Sequence, residues 1–327
     1  MIQNSTIKTR VVGVDISREE TRYAIVDVRG NIISKSSFDN SRFPNVNEFV
    51  AYISEQIVEL VETNGGYDTI RSVGISSPSG NFLTGCMENA PNMPWKGQIP
   101  LAAMLRDQLG LAVALGNDVH ARALGEYVYG GAHGMKDFIV VNLGHGVGSC
   151  VFSNGKAHLG ANGFAGEIGH TCVVDGGRLC GCGNRGCLEA YVGANGIAKT
   201  AQEMMQEDSR PTLMRNYEHI TPKDIYDCCE QGDEMAIEVF RKTGKLLGIS
   251  LANYASVINP EAIVICGGIS HAGKWLILPA NESFEEHVFH NLKGKVKLMA
   301  SNLDEDDRDV LGASVLAWNV KEYSLFI

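Results

Sequence analysis

The chain runs one pattern twice, and that repetition restricts its fold more than any other feature. Residues 11–15 read as a buried strand ending at Asp15, and residues 23–27 and 32–35 follow as hairpin partners around a turn at Arg29 and Gly30. Residues 138–142 and 148–152 repeat that opening around the glycine-rich stretch Gly144, His145, Gly146, Val147 and Gly148. The sequence further predicts strands over 72–76, 112–115 and 262–266. Helices are expected over 47–63, 100–109, 119–129, much of 194–207 and 222–257, and 310–320. Two such strand–hairpin–helix units specify a duplicated α/β architecture with a cleft between two lobes.

Length agrees, because 327 residues exceed what one hydrophobic core usually serves. A net charge of −10 argues against nonspecific nucleic-acid binding, which needs clustered Lys and Arg to displace counterions. No run approaches the roughly 18 apolar residues of a membrane span. The first residues lack the charged-then-apolar pattern of a signal peptide. Nine cysteines, with Cys228 and Cys229 adjacent, do not suit a secreted disulfide framework, so a cytoplasmic protein is expected.

Three of those cysteines stand apart. His170 is followed, after nine residues, by Cys180, Cys182 and Cys187, and Glu167 and Glu189 flank the set. One imidazole and three thiols complete a closed tetrahedral site of the kind structural zinc favours. The intervening glycines let a short loop turn its sulfurs toward one point. The alternative is a set of unrelated buried thiols, against which the compact spacing argues.

Asp118 follows the 112–115 strand and opens a helix. A carboxylate there either caps the helix or accepts a proton from a reacting group. Three glycine turns or strand ends could admit phosphate: the turn after Asp15, Gly144 to Gly148, and Gly267 with Gly268. Trp95 either packs under the face of a ligand ring or closes the small lobe, with packing the preferred reading, and lone histidines such as His120, His219 and His287 are read as surface or helix residues.

These residues resemble the ROK family of sugar kinases and sugar-responsive repressors, nearly end to end. The specific part is Gly166-Glu167-Ile168-Gly169-His170 with Cys180-Gly181-Cys182-Gly183-Asn184-Arg185-Gly186-Cys187-Leu188-Glu189. Ala90 to Trp95, Gly116-Asn117-Asp118 and Asn259-Pro260-Glu261 with Gly267-Gly268 match further landmarks. The resemblance implies a two-lobed, actin-like, ribonuclease-H-like α/β fold. Residues 1–116 with a C-terminal helix near 308–327 would form the small lobe, and 117–307 the larger lobe with the zinc loop. It implies ATP-dependent phosphorylation of glucose or a related aldohexose or N-acetylhexosamine, with Asp118 as general base. Asn92, Asn117, Asp118, Glu167, His170 and Glu189 would hold the sugar. Asp15 would help position Mg²⁺, and Ser17, Arg18, Gly144, His145, Gly146, Gly267 and Gly268 would face the ATP phosphates. His170, Cys180, Cys182 and Cys187 would hold structural Zn²⁺. A homodimer or homotetramer is the implied assembly.

Two turns depart from the family pattern. Family kinases follow the Asp15 position with an apolar residue, two glycines and a threonine, whereas here Ile16 precedes Ser17, Arg18, Glu19 and Glu20. Glu19 stands where a phosphate-contacting hydroxyl is expected, and a carboxylate repels phosphate. Arg18 offers an offsetting guanidinium. His145 replaces a small hydroxyl residue but still offers a donor. The alternative is therefore a catalytically weak or inactive sugar-binding sensor. The helix-turn-helix of the repressor branch finds no room before Val11, so DNA binding is not expected.

Overall fold

Strand β1 (Arg10–Ile16) is apolar without alternation because both its faces are covered. Val12, Val14 and Ile16 join Phe49, Val50, Ile53, Ile57 and Val61 of helix α1 (Val46–Thr63), while Val11 joins Val310 and Ala317 on the other side. The α1 residues recur at helical spacing, and each fully buried aliphatic or aromatic side chain contributes roughly 1.5–3 kcal/mol. This computed structural model describes residues 8–90 and 93–320.

The expected hairpin is β2 (Glu20–Asp27) with β3 (Ile32–Asp39). Asp27 Oδ1 closes its turn, accepting from the amides of Arg29 at 2.8 Å and Asn31 at 2.9 Å. β4 (Ile70–Ser77) follows, then a small sheet of β5 (Gly80–Asn81), β6 (Cys86–Glu88) and β7 (Gln98–Ile99) with no counterpart among the expected strands. α2 (Leu101–Leu109), β8 (Ala112–Asn117) and α3 (Asp118–Val128) complete this stretch. The main sheet has the order β3-β2-β1-β4-β8, antiparallel in its first two pairings and parallel in its last two.

The second sheet repeats this topology. Its strands are β9 (Phe138–Leu143), β10 (Val147–Ser153), β11 (Lys156–Ala157), β12 (Ala262–Cys266) and β13 (Lys297–Ala300), in the order β11-β10-β9-β12-β13 with the same succession of pairings. Helices α4 (Glu189–Val192), α5 (Ala194–Glu207), α6 (Pro222–Glu230), α7 (Glu234–Ile258) and α8 (Lys274–His287) belong with it, and α9 (Glu305–Trp318) closes the described chain. This is the doubled, actin-like α/β fold implied by the sequence. Among the described residues, no helix is long and apolar enough to cross a membrane.

Local geometry sets three boundaries. The helical content expected over much of 222–257 divides into α6 and α7, because Gly232 takes φ +81° and Asp233 caps α7 by accepting from the Ala236 amide at 3.0 Å. The last helix starts at Glu305 rather than near 308, its acidic first turn capped by Asp304. The division into units also differs from 116/117. The first unit reaches Gly134, takes in Leu159–Phe164 and resumes at Asn302. Packing of α3 against α9 explains this, since it holds α3 with the first sheet.

α9 lies unusually close to that sheet. A Cβ on Gly13 or Gly74 would collide with the backbone oxygens of Val310 and Ala313. Glycine at these two positions lets the helix backbone rest on β1 and β4, and this seats Asp309 beside the end of β1.

Candidate functional site

In the first unit, chemistry gathers where parallel strands β1, β4 and β8 end. Asp15 pairs in register with Ser76, and Ser77 with Asn117, so Asp118 emerges on the same edge. The carboxyl ends of parallel strands are where open α/β sheets bind ligands. Asn117 caps α3, its side chain accepting from the Val119 amide at 2.9 Å. The cap is thus supplied by Asn117, which removes capping as the reason for Asp118. The Asp118 side chain keeps 32% exposure.

One guanidinium sits among the carboxylates. Arg122 donates from Nε to Asp309 Oδ1 at 2.6 Å and from NH2 to Asp309 Oδ2 at 3.1 Å, while NH1 lies 3.7 Å from Asp118 Oδ2. Burial would raise the Asp309 carboxyl, but Arg122 and then Arg308 outweigh it and hold it below the usual range. Asp15 responds oppositely. Burial, then the nearby Asp309 charge, pushes it up to about 7, against the opposing pull of Arg122 and a 2.7 Å hydrogen bond from Ser76 Oγ. Arg122 was legible as the i+4 neighbour of Asp118. Asp309, far away in sequence, gave no local signal.

The turn after Asp15 is closed on itself. Ser17 donates its amide to Glu20 O at 2.9 Å and its hydroxyl to the same oxygen at 2.8 Å. Buried Asn40 fixes the turn from outside, donating from Nδ2 to Ser17 O at 2.7 Å and accepting from Thr21 Oγ1 at 2.8 Å. Arg18 and Glu19 are exposed. Trp95 packs in this unit's core against Phe49 and donates from Nε1 to Phe43 O at 3.0 Å. Asn92 lies outside the described residues. His120 is on α3 but buried, and burial pushes it down to about 4.

In the second unit, the ligand atoms of His170, Cys180, Cys182 and Cys187 all lie within 4.8 Å of one another. Cys182 and Cys187 sulfurs are 3.7 Å apart, as are Cys180 Sγ and His170 Nδ1. A tetrahedron with Zn–S bonds of about 2.3 Å has sulfur–sulfur edges of about 3.8 Å, so the set fits zinc. The loop is braced by Arg178. Its guanidinium donates to Ala190 O at 3.2 Å, Gly196 O at 2.9 Å and Thr200 Oγ1 at 3.0 Å, pairs with Glu203, and lies over the Tyr191 ring. No sequence motif marked that role.

Glu167 is exposed just ahead of the short helical turn Ile168–His170. Glu189, the first residue of α4, accepts the Val147 amide on Oε2 at 3.0 Å, and its Oε1 lies 3.5 Å from Cys180 Sγ. Two of the three candidate phosphate turns lie here. β9 and β12 are parallel neighbours with Asn142 opposite Cys266, so Gly144, His145 and Gly146 leave the sheet beside Gly267 and Gly268. His145 is exposed, and Gly267 takes φ +88°.

Residues 11–320 match the ROK family. A glucokinase of Halalkalibacterium halodurans is 32% identical, with 95% of this chain and 94% of that protein covered. A glucokinase of Thermotoga maritima is 30% identical, covering 94% and 96%. Among solved structures, a ROK family glucokinase from Streptomyces griseus in complex with glucose and AMPPNP superposes with a TM-score of 0.79 at 28% identity, covering 95% of this chain and all 100% of that one.

Proposed function

The chain belongs to the ROK family, and on that premise we propose that it transfers the γ-phosphoryl group of ATP to the 6-hydroxyl of glucose or a related aldohexose or N-acetylhexosamine. The observation that carries this reading is Asp118, relieved of capping by Asn117 and partly exposed at a strand-end edge beside buried Asp15. Asp118 accepts the hydroxyl proton as the new oxygen–phosphorus bond forms and the bond from the γ-phosphorus to the bridging oxygen breaks, releasing ADP. Asn117, Glu167, His170 and Glu189 hold the remaining hydroxyls, for which carboxylates and amides are suited, and Asn92 is a further contact. With Nδ1 toward the sulfurs, His170 presents Nε2 to the sugar.

Asp15, with Asp118 and Asp309 near it, offers the oxygen ligands that Mg²⁺ favours; bound there, the ion neutralises phosphate charge. Ser17, Arg18, Gly144, His145, Gly146, Gly267 and Gly268 are the nucleotide contacts. His170, Cys180, Cys182 and Cys187 hold Zn²⁺, which fixes the loop between Glu167 and Glu189. A cytoplasmic protein with access to ATP suits this reading.

One observation favours a second reading. The Ser17 hydroxyl is engaged within its own turn and Glu19 is exposed beside it, which weakens phosphate binding and suits a sugar-responsive sensor. A coupled assay of ADP release over a panel of hexoses separates the two. ADP formation with a hexose supports the kinase; a hexose that raises the melting temperature without ADP formation supports the sensor. Neither response would reject both.

A further inference from the structure

Glu189 lies between two features that the proposed function treats separately, the metal loop and the Gly144–Gly148 turn. Its Oε2 accepts the Val147 amide at 3.0 Å, inside that turn. Its own backbone begins α4, two residues after Cys187. The carboxylate occupies the space beside Gly146, where a Cβ would lie 2.6 Å from Glu189 Oε2. A second tie follows at once in the chain, where the Ala194 amide donates to Gly144 O at 3.0 Å. The first segment after the metal loop therefore holds the glycine turn at both ends.

We propose that Glu189 is a positioning residue for the nucleotide turn, transmitting the order of the metal loop to Gly144–Gly148, so that metal loss loosens nucleotide binding even when no sugar is present. This rests on the reading of that turn as a phosphate site, but the strut itself does not. A buried amide held by a carboxylate exchanges slowly, and losing the acceptor exposes it to local opening.

The test uses hydrogen exchange of the peptide spanning residues 143–149 in the full chain without ligands, together with calorimetric titration of AMPPNP and Mg²⁺ in the absence of sugar. Glu189→Ala is expected to speed exchange there about tenfold or more and to weaken nucleotide binding about tenfold. Glu189→Gln keeps an acceptor oxygen and should stay near wild type in both. Gly146→Ala, which displaces the carboxylate while leaving it present, should behave like Glu189→Ala with metal content intact. Chelating the metal from the wild type should produce the same exchange change. Unchanged exchange in folded, metal-loaded Glu189→Ala and Gly146→Ala overturns the proposal, as does Glu189→Gln failing as badly as Glu189→Ala. Faster exchange in the variants of a protein whose wild type binds no nucleotide would leave the strut standing and reject the kinase reading instead.

Discussion

Arg122 grips Asp309 with two hydrogen bonds, of 2.6 and 3.1 Å, and this fixes a guanidinium 3.7 Å from Asp118. The pair joins α3 to α9, and α9 reaches that position only because Gly13 and Gly74 admit its backbone. Removing one partner of a buried ion pair costs about 3–5 kcal/mol, since the other charge is left uncompensated. Here the two sides are unequal. Arg122→Met leaves Asp15, Asp118 and Asp309 facing one another, whereas Asp309→Asn leaves Arg122 two other carboxylates nearby. Urea unfolding should therefore show Arg122→Met to be the more destabilised variant. Equal losses would mean that Arg308 alone compensates Asp309.

The zinc site predicts about one metal ion per chain, from its four closed ligands. Replacing Cys182 or Cys187 with Ser should abolish stoichiometric zinc, lower the melting temperature and weaken hexose binding. Elemental analysis of freshly purified, reduced protein checks the first point. Metal-free wild-type protein with full hexose affinity would count against the assignment.

His120 gives the fold a pH dependence of known sign. It is buried near the Phe82 ring, and burial lowers it from 6.5 to about 4. Between these values the unfolded chain binds the extra proton at His120 and the folded chain does not, so the contribution of His120 to stability is complete above pH 6.5 and falls as pH drops toward 4. The lost contribution is roughly 3 kcal/mol at most. Thermal melts at pH 7 and pH 5 should differ less in His120→Asn than in wild type, and an unchanged difference would refute the assignment.

At the altered first turn, Glu19 is exposed beside a self-bonded Ser17. Glu19→Thr removes a charge that repels phosphate and should lower the KM for ATP, with little change in hexose KM. A raised or unchanged value would show that Arg18 already balances the charge.

Much of this architecture was legible from sequence because it rests on local pattern. The duplicated hairpins, the helix over 47–63 and the strand ending at Asp15 follow from apolar spacing and turn residues, and the His170–Cys187 set follows from ligand spacing. The three-stranded sheet of β5, β6 and β7 escaped because its strands have only two or three residues, too few for alternation to register. Helical periodicity on both sides of Gly232 marks helix over much of 222–257 without placing the break. Asp309, Asn40 and Arg178 act across long stretches of sequence, and their roles depend on which elements pack together. Asn117, expected as a sugar contact, also serves through Oδ1 as the cap that leaves Asp118 available.

Asp118 as the proton acceptor is central to the proposed phosphoryl transfer. The direct measurement is ADP release and hexose binding by Asp118→Asn, side by side with wild type. We expect turnover to fall about 10²–10⁴-fold while hexose affinity stays within about threefold. Turnover at the wild-type rate, with a hexose still bound, would contradict it.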